Sequence, residues 1–339
     1  MKKFIFTLIF VFLLVLPLEI VSRTYWKIKS QLSFWTPEAM DLFGFTNLHQ
    51  TKITQNDGYY DILFLGGSVL YFVGNWKGTV PLLQKKLQGK TNLPIRIHNL
   101  ATPSHSSRDS MFKYRFLADK HFDLVVIYDS INEVRANNCP PEIFRKDYSH
   151  YSWYKKLNFF EYYYPFFKFF TLPYTIYSLT IDVQEKIGAR RFVPTNQPEA
   201  DWIQYGKAIK TAASFENNLN TILDLAKKRQ EPVLMSTFAF YVPKNYSYFR
   251  FQTHQLDYDK HTFPIEIWGK PEYVILGTLA HNNIMHKLAA NHPEIMFLDE
   301  YPRMPKGKEY FNDICHLTDK GIEKLVDDFG NRLMQDNKN

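Results

Sequence analysis

Ser68, Asp313 and His316 are the residues whose types and placement could support nucleophilic chemistry in this chain. Ser68 closes the run Tyr60-Asp61-Ile62-Leu63-Phe64-Leu65-Gly66-Gly67-Ser68. A short apolar run of this kind reads as a buried parallel strand. Its two glycines permit a tight turn that exposes a hydroxyl at the strand end. Far along the chain stands Asp313-Ile314-Cys315-His316, followed by Leu317-Thr318-Asp319-Lys320-Gly321. An Asp placed three residues before a His can orient the imidazole while its other nitrogen faces a serine. Two plainer readings stay open at this point. Ser68 could be a solvated turn serine, and an Asp/His pair could hold zinc. No third metal ligand stands at helical or loop spacing nearby, although His281 and His286 lie upstream.

Two further segments carry donors for a developing oxyanion. Ser130-Ile131-Asn132-Glu133 follows the apolar run Phe122–Tyr128, so the Asn132 amide is expected at the carboxyl end of a strand, where ligands of parallel sheets bind. The turn-rich stretch 99–107 follows another short strand and presents the backbone N–H of Ser104.

The elements that must position these residues alternate along the chain. Strands are expected near 60–66, 95–100, 122–128, 232–240 and 295–299. Helices are expected over 79–90, 107–120, 209–229, 273–290 and 318–334, the last capped by Thr318 or Asp319. This alternation predicts an α/β fold, a three-layer α/β/α sandwich around a mostly parallel sheet. An aromatic-rich insertion interrupts it at about 145–206 and contains Phe159-Phe160-Glu161-Tyr162-Tyr163-Tyr164-Pro165-Phe166-Phe167. It reads as a helical cap packing its rings into the core, or as an amphiphilic surface touching lipid or covering a substrate.

Taken together and in this order, the four segments resemble the blocks of the SGNH (GDSL-like) hydrolases. The first block, usually Gly-Asp-Ser, stands here as Gly66-Gly67-Ser68. The third, usually Gly-x-Asn-Asp, stands as Ser130-Ile131-Asn132-Glu133, and the Asp-x-x-His block fits Asp313 to His316 closely. The resemblance runs over about residues 60–334. It implies a flavodoxin-like sheet order, Ser68 as nucleophile, His316 as base and then acid, and Asp313 as its orienter. The oxyanion hole would be formed by the Ser68 amide, Asn132 and Ser104. Ser104 stands where the family has glycine, which puts that donor in question if the loop needs positive φ. The implied reaction is acyl transfer from a carbohydrate or lipid ester, to water or to a sugar hydroxyl, with no cofactor. Departures at Gly67, Ser104 and Glu133 leave a further reading, a catalytically inactive module that binds glycan or lipid.

Composition narrows the setting. A content of 45% apolar and 22% charged residues is ordinary for a globular chain, so disorder is not expected, while 17% aromatic is high. The net charge of +7 is dispersed among acids without a nucleic-acid-binding signature, which excludes nucleic acid as the expected partner. Residues Phe4 to Val21 form an apolar run behind Lys2 and Lys3, without an Ala-x-Ala cleavage pattern. An uncleaved single-pass anchor over residues 1–23 is therefore expected, then a juxtamembrane connector over 24–58 and an extracytoplasmic hydrolase-like domain over 59–339. The two cysteines are Cys139, seven residues after Asn132, and Cys315, directly before His316. If Asn132 and His316 converge, a disulfide stapling the catalytic loop is expected.

Overall fold

The computed structural model describes residues 2–194 and 198–335, with the backbone alone for residues 2, 4, 5, 7, 8, 9 and 11. In chain order the elements begin with α1 (Lys2–Ser30), β1 (Tyr60–Gly66), α2 (Ser68–Asn75), α3 (Thr79–Lys86), β2 (Ile95–Asn99) and α4 (Ser107–Phe116). They continue with β3 (Leu124–Tyr128), α5 (Ile131–Ala136), α6 (Ser152–Phe167), α7 (Leu172–Lys186) and α8 (Ala212–Arg229). The last are β4 (Val233–Ser236), α9 (Tyr248–Gln252), α10 (Pro271–Asn291), β5 (Met296–Leu298), α11 (Glu300–Arg303) and α12 (Asp319–Gln335).

The chain divides into two compact units, residues 1–47 with 147–192, and residues 48–146 with 193–339. The second unit contains the sheet. Its five strands run in the order β2-β1-β3-β4-β5, and every pairing is parallel. The expected α/β alternation is therefore realised. Strand residues alternate between faces. Ile62, Phe64, Leu124 and Val126 share one apolar cluster with Leu83 of α3, Leu87 at its C-cap, and Val326 and Phe329 of α12. Leu63, Leu65, Val125 and Ile127 are equally buried, and by the pleat they point to the opposite face. Helix α3 packs on α12, and α8 packs on α4 and α10, so two helical layers enclose the sheet.

Strand β4 ends at Ser236, and residues 238–240, expected as its continuation, leave the sheet. Phe238 instead donates its N–H to Asn282 Oδ1, and Ala239 donates to Tyr128 Oη. Side-chain acceptors take over the backbone pairing there, which an apolar pattern does not reveal.

The first unit brings α1 together with α6 and α7. Glu19, an acid inside the apolar run, is buried. Its carboxylate accepts from the N–H groups of Thr171 (2.9 Å) and Leu172 (2.9 Å) at the start of α7. A carboxylate is favoured there because those amides lack helical partners. Arg23 pairs with Glu19 at 2.8 Å and donates to the carbonyls of Phe34 and Phe169. The rings of the insertion pack within this unit, Phe160 on Phe43 at 4.7 Å and Phe159 stacked on Tyr177 at 4.0 Å. Residues 195–197 of the expected insertion lie outside the described residues, as do Met1 of the anchor and 336–339 of the domain. Among the described residues no helix is long and apolar enough to cross a membrane.

Candidate active site

Ser68 is the first residue of α2, with Gly67 at the N-cap in extended conformation. Strand β1 thus turns directly into a helix, and the N–H groups of Ser68 and Val69 have no partner one turn earlier. Those amides and the helix dipole favour negative charge beside the hydroxyl.

His316 reaches Ser68 from a loop closed on itself. Phe311 and Leu317 form an antiparallel bridge, Asn312 N–H donates to His316 O at 2.7 Å, and Asn312 Nδ2 donates to Leu317 O. Thr318 caps α12 by accepting from Gly321 N–H at 3.1 Å. The loop holds His316 Nε2 2.7 Å from Ser68 Oγ. On the other side of the ring, Nδ1 lies 2.9 Å from Asp313 Oδ2. Asp313 is fully buried, and its Oδ1 also accepts from the N–H groups of Cys315 and His316. Its carboxylate is therefore fixed, and with it the tautomer and plane of the imidazole. Rings of Phe72 (5.8 Å) and Phe263 (5.1 Å) flank His316 and limit its rotation.

Asn132 stands at the start of α5, at the carboxyl end of the sheet near Ser68. Its Nδ2 donates to His105 O at 2.7 Å, and its Oδ1 accepts from Trp268 Nε1 at 3.1 Å. These two bonds set which end of the amide carries hydrogens. One hydrogen of Nδ2 goes to His105, and the second has no partner among the described residues. The glycine at position 67 has a steric reason here. A Cβ on Gly67 would lie 2.7 Å from Asn132 Nδ2 and 3.3 Å from His105 O. The departure from the usual acidic residue therefore makes room for close packing of Asn132.

Ser104 has φ of +67°, the left-handed backbone that favours glycine. For a side-chain-bearing residue this costs about 1–2 kcal/mol. The loop nevertheless holds this shape, because Thr102 N–H donates to Gly66 O and Lys113 donates to Leu100 O (2.5 Å) and Thr102 Oγ1 (2.9 Å). Lys113 is buried, and burial lowers its ammonium to about 8. Glu133, the other departure, accepts from Ser107 N–H at 2.6 Å and so ties α4 to α5. Burial, reinforced by Asp129, pushes its carboxyl well above the usual range. Asp129 is itself raised to about 7 by burial and accepts from Ser110 Oγ.

The expected disulfide is absent. Cys139 and Cys315 are both free and buried. Helix α5 carries the chain about 6 Å beyond Asn132 at 1.5 Å per residue, and Cys139 Sγ faces Ala136 O. Cys315 Sγ faces His316 Nδ1 at 3.7 Å. Burial raises Cys139 to about 11 and lifts Cys315 well above a normal thiol, keeping both protonated.

A third ligand-type atom does come close to the Asp/His pair. Asp313, Cys315 and His316 place such atoms within 4.8 Å of one another. The fit to a metal is poor, since a metal needs the thiolate that burial opposes, and Asp313 already occupies Nδ1. His281 and His286 lie elsewhere. His281 contacts Thr211 Oγ1, and His286 pairs with Asp299.

Sequence reading did not pick out Trp268 or Lys113. Neither carries a local signal, because each acts on a segment more than ten residues away.

No family model matches the sequence, and no curated protein matches it. Among solved structures the chain is similar to a GDSL-like lipase from Bacteroides thetaiotaomicron VPI-5482. That match has 12% identity over 86% of this chain and 96% of the other, with a TM-score of 0.44. An acetylxylan esterase from Geobacillus stearothermophilus is similar at 12% identity, covering 84% and 96%, with a TM-score of 0.42. A lipase/acylhydrolase from Enterococcus faecalis is similar at 13% identity, covering 81% and 96%, with a TM-score of 0.40. These are likenesses, and the chemistry rests on the geometry of this chain's own residues.

Proposed function

We propose that the chain is a serine esterase of the SGNH type that removes an acyl group from a carbohydrate or lipid ester through an acyl-Ser68 intermediate. The observation that carries this reading is the unbroken relay from Ser68 Oγ to His316 Nε2 and from His316 Nδ1 to Asp313. In the reaction Ser68 Oγ attacks the ester carbonyl while His316 Nε2 takes its proton. The oxyanion is met by the Ser68 N–H, the free hydrogen of Asn132 Nδ2 and the Ser104 N–H. Asp313 stabilises the imidazolium that forms. His316 then passes the proton to the departing alcohol oxygen. Water enters on the same base, and its attack releases the acid and restores Ser68. A sugar hydroxyl in place of that water would make the same site an acyltransferase.

The test is labelling of the detergent-solubilised protein with a fluorophosphonate probe, alongside Ser68→Ala and His316→Ala. Labelling of the wild type that is lost in both variants supports an activated serine. A folded wild type that takes no label removes the enzymatic reading and leaves a glycan- or lipid-binding role.

We further propose that the protein is held at a membrane through α1, with its catalytic unit outside the cytoplasm. The support is the apolar run itself and the exposure of Phe6, Phe10, Phe12, Leu13 and Leu14 on that helix. In the same unit Phe166, Phe169 and Phe170 are exposed as well. Apolar surface on this scale is costly in water. Release of the protein by a carbonate wash without detergent would refute integral attachment.

A further inference from the structure

The catalytic histidine forms part of the wall of a second space. A cavity of about 410 Å³ opens beside it, lined by Phe72, Trp76, Lys260, Phe263, Asn312 and Asp319 together with His316. That volume falls in the range of small-molecule sites, about 300–1,000 Å³. The space lined by Ser68, Asn132 and Phe238 measures only about 10 Å³, room for no more than about one water. The two sides of the nucleophile are therefore unequal.

Proton transfer assigns the larger side. The departing oxygen must receive its proton from His316 Nε2, so the alcohol half of the ester lies on the side where His316 lines the cavity. The acyl half, bonded to the carbon held between Ser68 and the oxyanion donors, is left with the small side.

The lining identifies the alcohol. Phe72, Trp76 and Phe263 supply aromatic surface, against which the C–H face of a sugar ring packs. Trp76 is pre-set, because Gly78 beneath it leaves room that a Cβ, 2.3 Å from the ring, would take. Lys260 can donate to a hydroxyl and Asp319 can accept from one, and their charges offset each other. Asn312 lies in the same wall as a structural residue, with its Oδ1 closed off from solvent and its Nδ2 donating to Leu317 O. A hydrocarbon chain would use neither Lys260 nor Asp319, whereas a neutral polyhydroxylated ring uses both.

We infer that the cavity binds an uncharged sugar ring as the alcohol half of a short-chain, acetyl-class ester. This inference rests on the esterase reading above. In the acylation step the Ser68 Oγ–carbon bond forms and the carbon–sugar oxygen bond breaks, with the serine proton delivered through His316 to that oxygen. Water then cleaves the acyl-serine, giving a free sugar hydroxyl and a short carboxylic acid.

The experiment compares methyl 6-O-acetyl-glucopyranoside with p-nitrophenyl acetate and p-nitrophenyl decanoate on full-length wild type, Trp76→Ala and Lys260→Ala. The acetate should exceed the decanoate. The ratio of kcat/KM for the sugar acetate to that for p-nitrophenyl acetate should fall about tenfold in Trp76→Ala, mostly through KM. Lys260, at the exposed rim, should give a smaller drop in the same direction without a folding risk. Esterase activity with unchanged ratios in both variants, or a preference for decanoate, overturns the inference and leaves the esterase reading intact. If wild type hydrolyses neither acetate, saturation-transfer NMR of methyl glucopyranoside with Ser68→Ala decides. A transfer signal that disappears when Trp76→Ala is added supports the sugar site while the esterase reading fails, and the absence of any signal overturns the site.

Discussion

The Gly67→Ala substitution probes the oxyanion side of the site with a single methyl group. Gly67 sits at φ −90° and ψ −156°, a conformation open to alanine, so the change introduces no backbone strain. Its added Cβ would lie 2.7 Å from Asn132 Nδ2, where ordinary contact begins near 3.4 Å. The amide must therefore retreat by roughly 0.7 Å. Its present bonds to His105 O (2.7 Å) and Trp268 Nε1 (3.1 Å) have little room to stretch before they break. If Asn132 is an oxyanion donor, misplacing it should cost about 10²–10³ in kcat, or about 2.7–4 kcal/mol. The relay of Ser68, His316 and Asp313 is left in place, so fluorophosphonate labelling should persist at a reduced rate. Burst-phase kinetics on p-nitrophenyl acetate would measure the loss. Because both changes act through one donor, adding Gly67→Ala to Asn132→Ala should cost less than about threefold more. A Gly67→Ala enzyme within about threefold of wild type, or strictly additive losses in the double variant, would refute the assignment of Asn132 to the oxyanion.

Three other outcomes are expected. Asp313→Asn should keep the fold and lower kcat by about 10⁴, since an amide at that position can hold the imidazole in the wrong tautomer; stopped assays with matched circular dichroism would check this. Burial, with Asp328 adding to it, raises the Glu300 carboxyl from 4.5 to about 9. The folded state therefore keeps a proton that the unfolded state gives up, and wild type should lose stability as pH rises from about 4.5 to 9. Glu300→Gln should flatten that fall, worth up to a few kcal/mol at about 1.4 per pH unit, in urea midpoints measured at pH 5 and pH 8. Finally, both buried thiols should resist iodoacetamide in the native state and react without reductant once unfolded, as mass spectrometry would show.

Legibility of the fold followed from local pattern. Strand β3 is buried at every residue, and a parallel strand buried on both faces has to read as a continuous apolar run, as Phe122–Tyr128 does. Helices α8, α10 and α12 carried period-3.6 spacing and emerged within a few residues of the expected ranges. Where side chains replaced backbone pairing, as for Phe238 and Ala239 against Asn282 and Tyr128, the apolar pattern extended the strand too far. Helix α2 was missed because its first turn begins at the serine itself, with no capping side chain to announce it.

Sequence by itself determined which chemistry could be assembled. Asp313 and His316 share one short loop, and Ser68 ends an apolar run in glycines, so their types and local roles depend only on near neighbours. Their convergence across 248 positions was left to the sheet, because parallel order puts all strand ends on one edge. Tertiary structure alone decided the finer terms. Trp268 fixes the Asn132 amide from 136 residues away, and Lys113 holds the Ser104 loop in a backbone shape that serine does not favour. It also separated Cys139 from Cys315 in their surroundings, against the expectation drawn from their spacing. Spacing along a chain limits which groups can meet only while the chain between them is regular. Beyond a turn or a strand end, meeting is set by packing, which no local pattern encodes.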